Sequence, residues 1–319
     1  MDRESELSII RAAYAKQILA AAQVADNGRL EAALTATRRE DFLGAGPWSI
    51  LRWGRYVTTP DADPVYLYTD NLVGILLERE INNGQPSLHA NLIHHASPAI
   101  GEHVVHVGTG TGYYTAILAN LVGPSGRVTG IEYEPELAAR AKTNFAAYPN
   151  VDIVEGDGAL VSFDAADVIY VNAGCTRPAE SWLDRLADAG RLILPMTSDQ
   201  GDRTPRPTFR GVGRYVHKRV RTFLARRDRV GSGANALEQM ASTGAVFRIE
   251  RRRNDYLARW ISAVAIFPCT GNRDEMSERA LAEAFAKRGW DKVTRLYRNQ
   301  EIPEDRCWVR GPGWCLAYS

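Results

Sequence analysis

Val104-Val105-His106-Val107 runs straight into Gly108-Thr109-Gly110-Thr111-Gly112, and Tyr114 to Val122 then follows with helical spacing. A short apolar run that stops in glycine and restarts as a helix predicts a buried parallel strand feeding a tight turn. The alternation continues on both sides. Apolar spacing predicts helices over 7–24, 30–37, 135–147 and 179–187, and strands over 127–133, 151–155, 166–171 and 191–194. Pro135 suits the first turn of its helix. Strand and helix alternating at short spacing predict an α/β fold, a parallel sheet with helices on both faces. Beyond Met196 the pattern gives strands over 245–251 and 257–268 about the turn Arg253-Asn254-Asp255, a helix over 277–288, and a terminal strand or hairpin over 308–318. Residues 44–63 hold Trp48, Trp53 and Tyr56 without clear period and read as a long covering loop.

The glycine loop says what such a sheet can hold. Glycines at alternate positions let the backbone turn tightly and approach a ligand without interference from a β-carbon. The loop stands at a strand's carboxyl end, where open α/β sheets bind ligands. A dinucleotide loop reads G-x-G-x-x-G, but the third position here is Tyr113; G-x-G-x-G suits the loop that folds round the amino-acid half of S-adenosylmethionine. Glu132 ends the second strand, where a carboxylate's two oxygens match vicinal ribose hydroxyls. Gly156-Asp157-Gly158 follows the third, where Asp157 reaches an adenine amino group unless the segment is a plain turn.

Composition removes several other classes. The chain has 319 residues, 45% hydrophobic and 24% charged, which is globular rather than disordered or fibrous. Lys+Arg 39 against Asp+Glu 38 leaves a net charge of +1, so a globally basic nucleic-acid binder is excluded. The arginine-rich stretch 203–229 is read as a solvated face, which disfavours nucleic acid as a partner. No apolar run reaches the roughly 18 residues of a membrane span. The polar start Met1 to Glu6 shows no secretory leader, so a cytoplasmic location is expected. Cys175, Cys269, Cys307 and Cys315 form no C-x-x-C pair and no cluster with histidine. They are expected to be buried or idle thiols, with neither a metal site nor a disulfide framework.

The run VVHVGTGTGYYTAILANLVGPSGRVTGIEYEPEL, continued by VEGDGALVSF, DVIYVNAG and LADAGRLILPM, resembles the protein-L-isoaspartate O-methyltransferases. Arg38-Arg39-Glu40-Asp41-Phe42, Tyr68-Thr69-Asp70 and FRIERRRNDYLARWISAVAIFP are similar to further segments of that family. The resemblance covers 7–200 and 245–268, and is most specific over 100–196. It implies a doubly wound, Rossmann-like class I methyltransferase sheet whose last strand is antiparallel, with N-terminal helices and a C-terminal extension. It also implies S-adenosyl-L-methionine as methyl donor and a protein or peptide carboxylate, that of a damaged aspartyl residue, as acceptor. The family's cofactor positions carry over to Gly108, Thr109, Gly110, Glu132, Tyr133, Asp157 and Gly158, and the cofactor site is extended to Thr111, Gly112, Tyr113, Thr115 and His89. The organisation expected is N-terminal helices and a substrate-covering loop over 1–75, a cofactor-binding core over 76–200, a basic insertion and closing hairpin over 201–268, and an α+β extension over 269–319.

One departure matters for the chemistry. The segment Asn82-Asn83-Gly84-Gln85-Pro86-Ser87-Leu88-His89-Ala90 is similar to the family's catalytic loop, Thr-Ile-Ser-Gln-Pro, but the family's serine falls on Gly84. A carboxylate acceptor is ionised at neutral pH and needs no general base, so that hydroxyl only positions it. Asn82, Asn83 and Ser87 are the candidate replacements, with Asn82 or Asn83 expected to orient the acceptor. The same departure leaves open another acceptor, such as a small molecule, a natural-product peptide or, least favoured, RNA, and also a silent cofactor-binding adaptor. His106, on the first strand, is read as a satisfied buried histidine.

Overall fold

The computed structural model describes residues 2–52, 55–79, 81–199 and 244–318. Trp53 and the arginine-rich stretch 203–229 lie outside the described residues. The chain opens with α1 (Arg3–Ala21), α2 (Gly28–Ala36) and α3 (Glu40–Leu43). Asp2 starts α1 by accepting from the Ser5 N–H, which satisfies one of the donors a helix start leaves without a partner. Two small hairpins follow, β1 (Ser49–Arg52) with β2 (Arg55–Thr58), and β3 (Gly74–Leu76) with β4 (Ile81–Asn82). The first corrects the expectation of an irregular loop over 44–63. Strands of four residues, with arginine in each, carry too little alternation to be seen in sequence.

The central sheet is built from β5 (His103–Val107), β6 (Arg127–Glu132), β7 (Val151–Glu155), β8 (Ala166–Val171), β9 (Leu186–Thr197), β10 (Gly244–Arg252), β11 (Asp255–Ala263), β12 (Arg295–Arg298), β13 (Cys307–Gly311) and β14 (Trp314–Ala317). Its order is β13-β14-β12-β11-β10-β9-β8-β5-β6-β7. The half from β9 to β7 is parallel. Every residue of β5 is buried, as expected of a strand covered on both faces. Between the strands run α4 (Pro86–Ala96, before β5), α5 (Tyr113–Val122), α6 (Pro135–Asn144), α7 (Glu180–Arg185) and, in the extension, α8 (Glu275–Lys287).

The resemblance implied a single antiparallel strand at the sheet's end. The structure has β10, β11, β12, β14 and β13 all antiparallel to their neighbours, so the extension prolongs the same sheet. Two apolar layers sandwich it. One joins α1, α2, α4 and α5 through residues such as Ile18, Leu30, Leu92 and Ile117. The other joins α7 and α8 to the extension, with Trp308 against Phe247 (5.3 Å between ring centroids) and Phe285 (5.5 Å). Burying each such aromatic stabilises by roughly 1.5–3 kcal/mol, enough to hold the extension in the core.

Cys307 and Cys315 are not idle thiols. The β13–β14 hairpin, turning at Gly311 to Gly313, joins them as a disulfide across a sequence separation of eight. No C-x-x-C marks the pair, because the hairpin register and not local spacing brings them together. Closing so short a loop stabilises by about 2.5 kcal/mol in the chain-entropy account. Cys307→Ser is therefore expected to lower the urea-unfolding free energy of the non-reduced protein by that amount. An unchanged midpoint would show that the bridge contributes nothing.

Candidate active site

The parallel half of the sheet presents its carboxyl ends on one edge, and the glycine loop lies there. The Gly108 N–H donates to Ile131 O (2.9 Å) and Gly112 N–H to Thr109 O (3.1 Å), a turn folded on itself. Gly108, Gly110 and Gly112 all have positive φ, at 80°, 60° and 105°. At Gly112, a β-carbon would run into the Phe145 ring; at Gly110 it would meet nothing within 4 Å, so this part of the loop faces open space. Gly112 and Gly110 thus serve two different needs, packing and access. Thr111 is held by Asn144, whose amide donates to its carbonyl (2.9 Å), and Thr109 donates to His106 O (3.2 Å).

Glu132, at the end of β6, is the charged member of this edge. It is buried, accepting from the Gly110 N–H at 2.6 Å and from the Glu134 N–H at 3.0 Å. Burial raises its pKa, and those two N–H groups work in the opposite direction. Tyr133 beside it is half exposed, a large ring standing at the pocket's rim. Asp157 caps its own turn, accepting from the Ala159 N–H at 2.8 Å. Gly158 packs so tightly on Val107 that a β-carbon would collide with it, while its carbonyl accepts from Trp182 Nε1 (2.7 Å). Asn172, which sequence reading passed over, donates its side-chain amide to Gly108 O (3.3 Å) and ties β8 to the loop.

The segment before α4 supplies the opposite wall. Asp70 receives the Ser87 N–H (2.8 Å), the Ser87 hydroxyl (2.7 Å) and Gln85 Nε2 (2.9 Å). A carboxylate at this point caps the start of α4, where Pro86 occupies the first turn. Ser87 is therefore committed to the helix start. Asn83 is similarly engaged: its Oδ1 accepts from the Val73 N–H (3.0 Å), while its Nδ2 is buried without a partner. Asn82 Oδ1 accepts from the Gly84 N–H (2.9 Å) and shapes the turn.

Gly84 has φ of 75°, and a β-carbon there would land on His89 Nε2. The imidazole occupies the space that a side chain at 84 would need. His89 stacks on Tyr114 (3.7 Å between centroids) and shares a 2.7 Å hydrogen bond with Tyr170 through Nδ1; Tyr114 in turn donates to Gly84 O (3.3 Å). His106 lies on the other side of Tyr170, edge-on at 5.2 Å, with Nδ1 hydrogen-bonded to Thr115 (2.8 Å). The Nε2 atoms of both histidines are buried and without a hydrogen-bond partner, so the expectation that His106 is fully satisfied holds at Nδ1 only. Beneath them Tyr113 packs edge-on against Tyr114 (5.0 Å) and Phe42 (6.2 Å), with the buried Arg39 guanidinium over its ring at 5.3 Å. Arg39 also donates to the carbonyls of Leu67 and Thr69, and Tyr68 donates to Glu40 (2.5 Å). The two upstream segments singled out by resemblance thus meet under this wall.

Of the candidates, the structure gathers Gly108 to Tyr113, Glu132, Tyr133 and Asp157 along the strand ends, with Asn82, Asn83 and Gly84 on the segment before α4 and His89 on α4 itself. Thr115 sits below the surface, against His106. The covering-loop residue Trp48 is buried, with its indole N–H on Gly44 O (3.0 Å). Arg39 and Asp70 lay in segments quoted for the resemblance but were given no role, and Tyr114, Tyr170 and Asn172 were not picked out as site residues, since each acts through partners distant in sequence.

A family model described as protein-L-isoaspartate(D-aspartate) O-methyltransferase matches residues 51–218. Over 120 residues the chain is 39% identical to the protein-L-isoaspartate O-methyltransferase of Ignicoccus hospitalis, covering 36% of this chain and 57% of that protein. Over 143 residues it is 32% identical to that of Thermotoga maritima, covering 44% and 45%. The chain spans about half the length of the curated relatives it matches. Among solved structures it is similar to a protein-L-isoaspartate O-methyltransferase at TM-score 0.57, with 21% identity over 83% of this chain and 69% of that one. Another is a Plasmodium falciparum protein assigned to the same enzyme type, in complex with S-adenosyl-L-homocysteine, at TM-score 0.56, with 16% identity over 82% and 99%. At such identities these structures establish the class I methyltransferase fold.

Two expectations follow from the geometry. Burial holds both His89 and His106 neutral, pushing each down to about 3 from an ordinary 6.5. An unfolded chain protonates them below about 6.5, so the stability they contribute is present above that pH and is lost as pH falls toward 3. Between pH 6.5 and 5 the loss is roughly 2 kcal/mol per histidine. Calorimetry is expected to show a falling melting temperature over that range with proton uptake on unfolding, and His106→Gln is expected to make the fall shallower while His89 retains its share. The second expectation concerns Gly84→Ser, which meets both positive φ and the imidazole and is expected to destabilise by about 2 kcal/mol or more. In a His89→Ala background the same change is expected to cost markedly less. Additive costs in urea unfolding would show that the imidazole is not what keeps residue 84 small.

Proposed function

The chain belongs to the protein-L-isoaspartate(D-aspartate) O-methyltransferase family, and from that premise we propose that it transfers a methyl group from S-adenosyl-L-methionine to the carboxylate of an isoaspartyl or closely related residue in a protein or peptide. Protein repair in a cytoplasmic setting is part of the same proposal. The observation that carries it is the pairing of Glu132 with the Gly108–Gly112 loop at the strand ends, facing the loop Asn82–Gly84.

The residues present fit the methyl donor. Gly110 leaves open room where a side chain would intrude, and Glu132 keeps lone pairs on both oxygens after accepting one N–H on each. Glu132 would hold the ribose hydroxyls, the glycine loop the amino-acid half, and Tyr133 and Asp157 the adenine end. When bound, the sulfonium supplies an electrophilic methyl carbon. What the chain adds is position. An acceptor carboxylate arrives ionised, so no base is required and alignment supplies the rate. With Ser87 committed to Asp70 and no hydroxyl on Gly84, the side-chain amides of Asn82 and Asn83 are the donors we assign to the acceptor, Asn83 Nδ2 being buried without another partner. Among the described residues no helix is long and apolar enough to cross a membrane.

The test is transfer of labelled methyl to an isoaspartyl peptide, with its normal aspartyl twin as control. Base-labile label on the first alone is expected, with Glu132→Ala lowering the affinity for S-adenosylhomocysteine about tenfold or more, since a buried bidentate acceptor is lost. Label on neither peptide, with the product still bound, would move the acceptor elsewhere and favour the other-acceptor or adaptor reading that Gly84 leaves open.

A further inference from the structure

Two cysteines that this chemistry does not use lie side by side at the nucleotide end of the pocket. After β8 the chain runs extended through Gly174 and Cys175, and the start of the extension runs beside it. The Gly174 N–H donates to Phe267 O (2.7 Å) and the Cys269 N–H donates to Gly174 O (2.9 Å), a parallel bridge pairing Gly174 with Pro268. That register makes Cys175 and Cys269 the next pair, with side chains on the same face. Paired strands lie about 4.8 Å apart, inside the roughly 4.4–6.8 Å that Cα atoms of a disulfide require. Both are free thiols; Cys175 is fully buried and Cys269 is partly exposed.

Their surroundings are unequal. The Cys175 thiol donates to Ala173 O (3.6 Å) and the Cys269 thiol to Thr270 O (3.4 Å). The neighbouring Cys175 lowers the pKa of Cys269, whereas Cys269 and burial raise that of Cys175; the Asn272 N–H and the Arg273 guanidinium also favour a thiolate at Cys269, against burial and Asp157. Arg273 is itself fixed, donating to Gly174 O (2.8 Å) and Thr197 Oγ1 (2.9 Å) and pairing with Asp199 (3.0 Å). An accessible, activated thiol against a buried partner is the arrangement thiol exchange needs. Two residues on, Gly271 (φ 93°) rests on Asp157, where a β-carbon would collide with the carboxylate.

We propose that Cys269 and Cys175 form a thiol–disulfide exchange site, in which Cys269 takes the adduct from a small-molecule disulfide such as oxidised glutathione and Cys175 clears it. The Cys269 thiolate, its proton gone to solvent, attacks one sulfur of the disulfide; a new S–S bond forms and one glutathione thiolate leaves. Cys175 then attacks Cys269 Sγ, its proton passing to the departing second thiolate. Two thiols are oxidised to one internal disulfide, and one small-molecule disulfide is reduced to two thiols. Clearing the adduct keeps a bulky group away from Asp157. That last link rests on the reading of Asp157 as an adenine contact; the exchange itself does not.

The experiment treats the full chain with oxidised glutathione and follows intact mass and non-reduced peptides. Wild type is expected to lose two hydrogens and yield a peptide pair joined through Cys175 and Cys269. Cys175→Ser is expected to stop at one glutathionyl group on Cys269, and Cys269→Ser to take neither adduct nor bridge. Cys175→Ala, read alongside circular dichroism, guards against a folding defect in the serine variant. In calorimetry the adduct on Cys175→Ser is expected to weaken S-adenosylhomocysteine binding about tenfold, while bridged wild type stays within about threefold of the reduced protein. Wild type and Cys175→Ser accumulating the same adduct, or wild type remaining unmodified, would overturn the proposal. If no form binds S-adenosylhomocysteine, the family reading of the pocket fails, and the mass results still decide the exchange chemistry.

Discussion

Glu132 fixes the relation between the two chain segments on which the pocket depends. One oxygen takes the Gly110 N–H and the other the Glu134 N–H, so a single carboxylate holds both the glycine loop and the start of α6. A buried carboxylate without such donors is costly, and removing either would leave a charge in a dry site. The loop's positive φ values are what aim the Gly110 N–H at Glu132. Glycine at these positions and acid at the end of β6 are therefore one requirement seen from two sides. Asn172 extends it to a third strand by gripping the Gly108 carbonyl.

The facing wall has a different physical basis. It is an aromatic and imidazole layer, His89, Tyr114, Tyr170, His106 and Tyr113, resting on a buried arginine. Desolvation holds the histidines neutral, so the wall presents fixed dipoles rather than mobile charge. Such a layer would cost no reorganisation on approach of the proposed carboxylate acceptor. It also explains the residue at position 84. With the imidazole of His89 filling the space next to the turn, only a residue without a β-carbon fits, and the turn is shaped by Asn82 and by backbone groups.

How much of this was readable in the sequence follows from the range over which each interaction acts. The glycine loop, Glu132 and Asp157 were legible because each sits within a few residues of its own strand, and strand periodicity placed them. The boundaries of β7 and β8 were read to the residue, β8 as a short, mostly apolar run and β7 as a short segment of valine and isoleucine interspersed with acids, each closed by turn residues. Asp70 as the cap of α4 was not legible: its partner Ser87 is seventeen positions away, and nothing local marks a carboxylate that caps another segment's helix. The same holds for Tyr170 under His89, a contact 81 residues apart in sequence. The β1–β2 hairpin was missed for the opposite reason, its strands being too short to alternate. The disulfide was missed because its geometry comes from the β13–β14 register, which composition does not encode.

The extension is where the family's core plan is elaborated, and its position has a consequence for the site. Sheet hydrogen bonding carries β12, β13 and β14 away from the pocket, to the far edge. The chain that leads to them must first pass the carboxyl ends of the parallel strands. It does so at Cys269 to Asp274, pinned there by Arg273 to the Gly174 carbonyl and to Glu278 (2.5 Å) on α8. Thr176 and Ser277 add a buried hydroxyl pair at 2.7 Å across the same seam. The crossing is thus rigid, and it leaves Gly271 resting on Asp157. A segment whose first role is to connect the last antiparallel strands becomes, by that route, a neighbour of Asp157, the residue proposed for the adenine end. On that proposal, variation in the extension reaches cofactor affinity without touching the glycine loop.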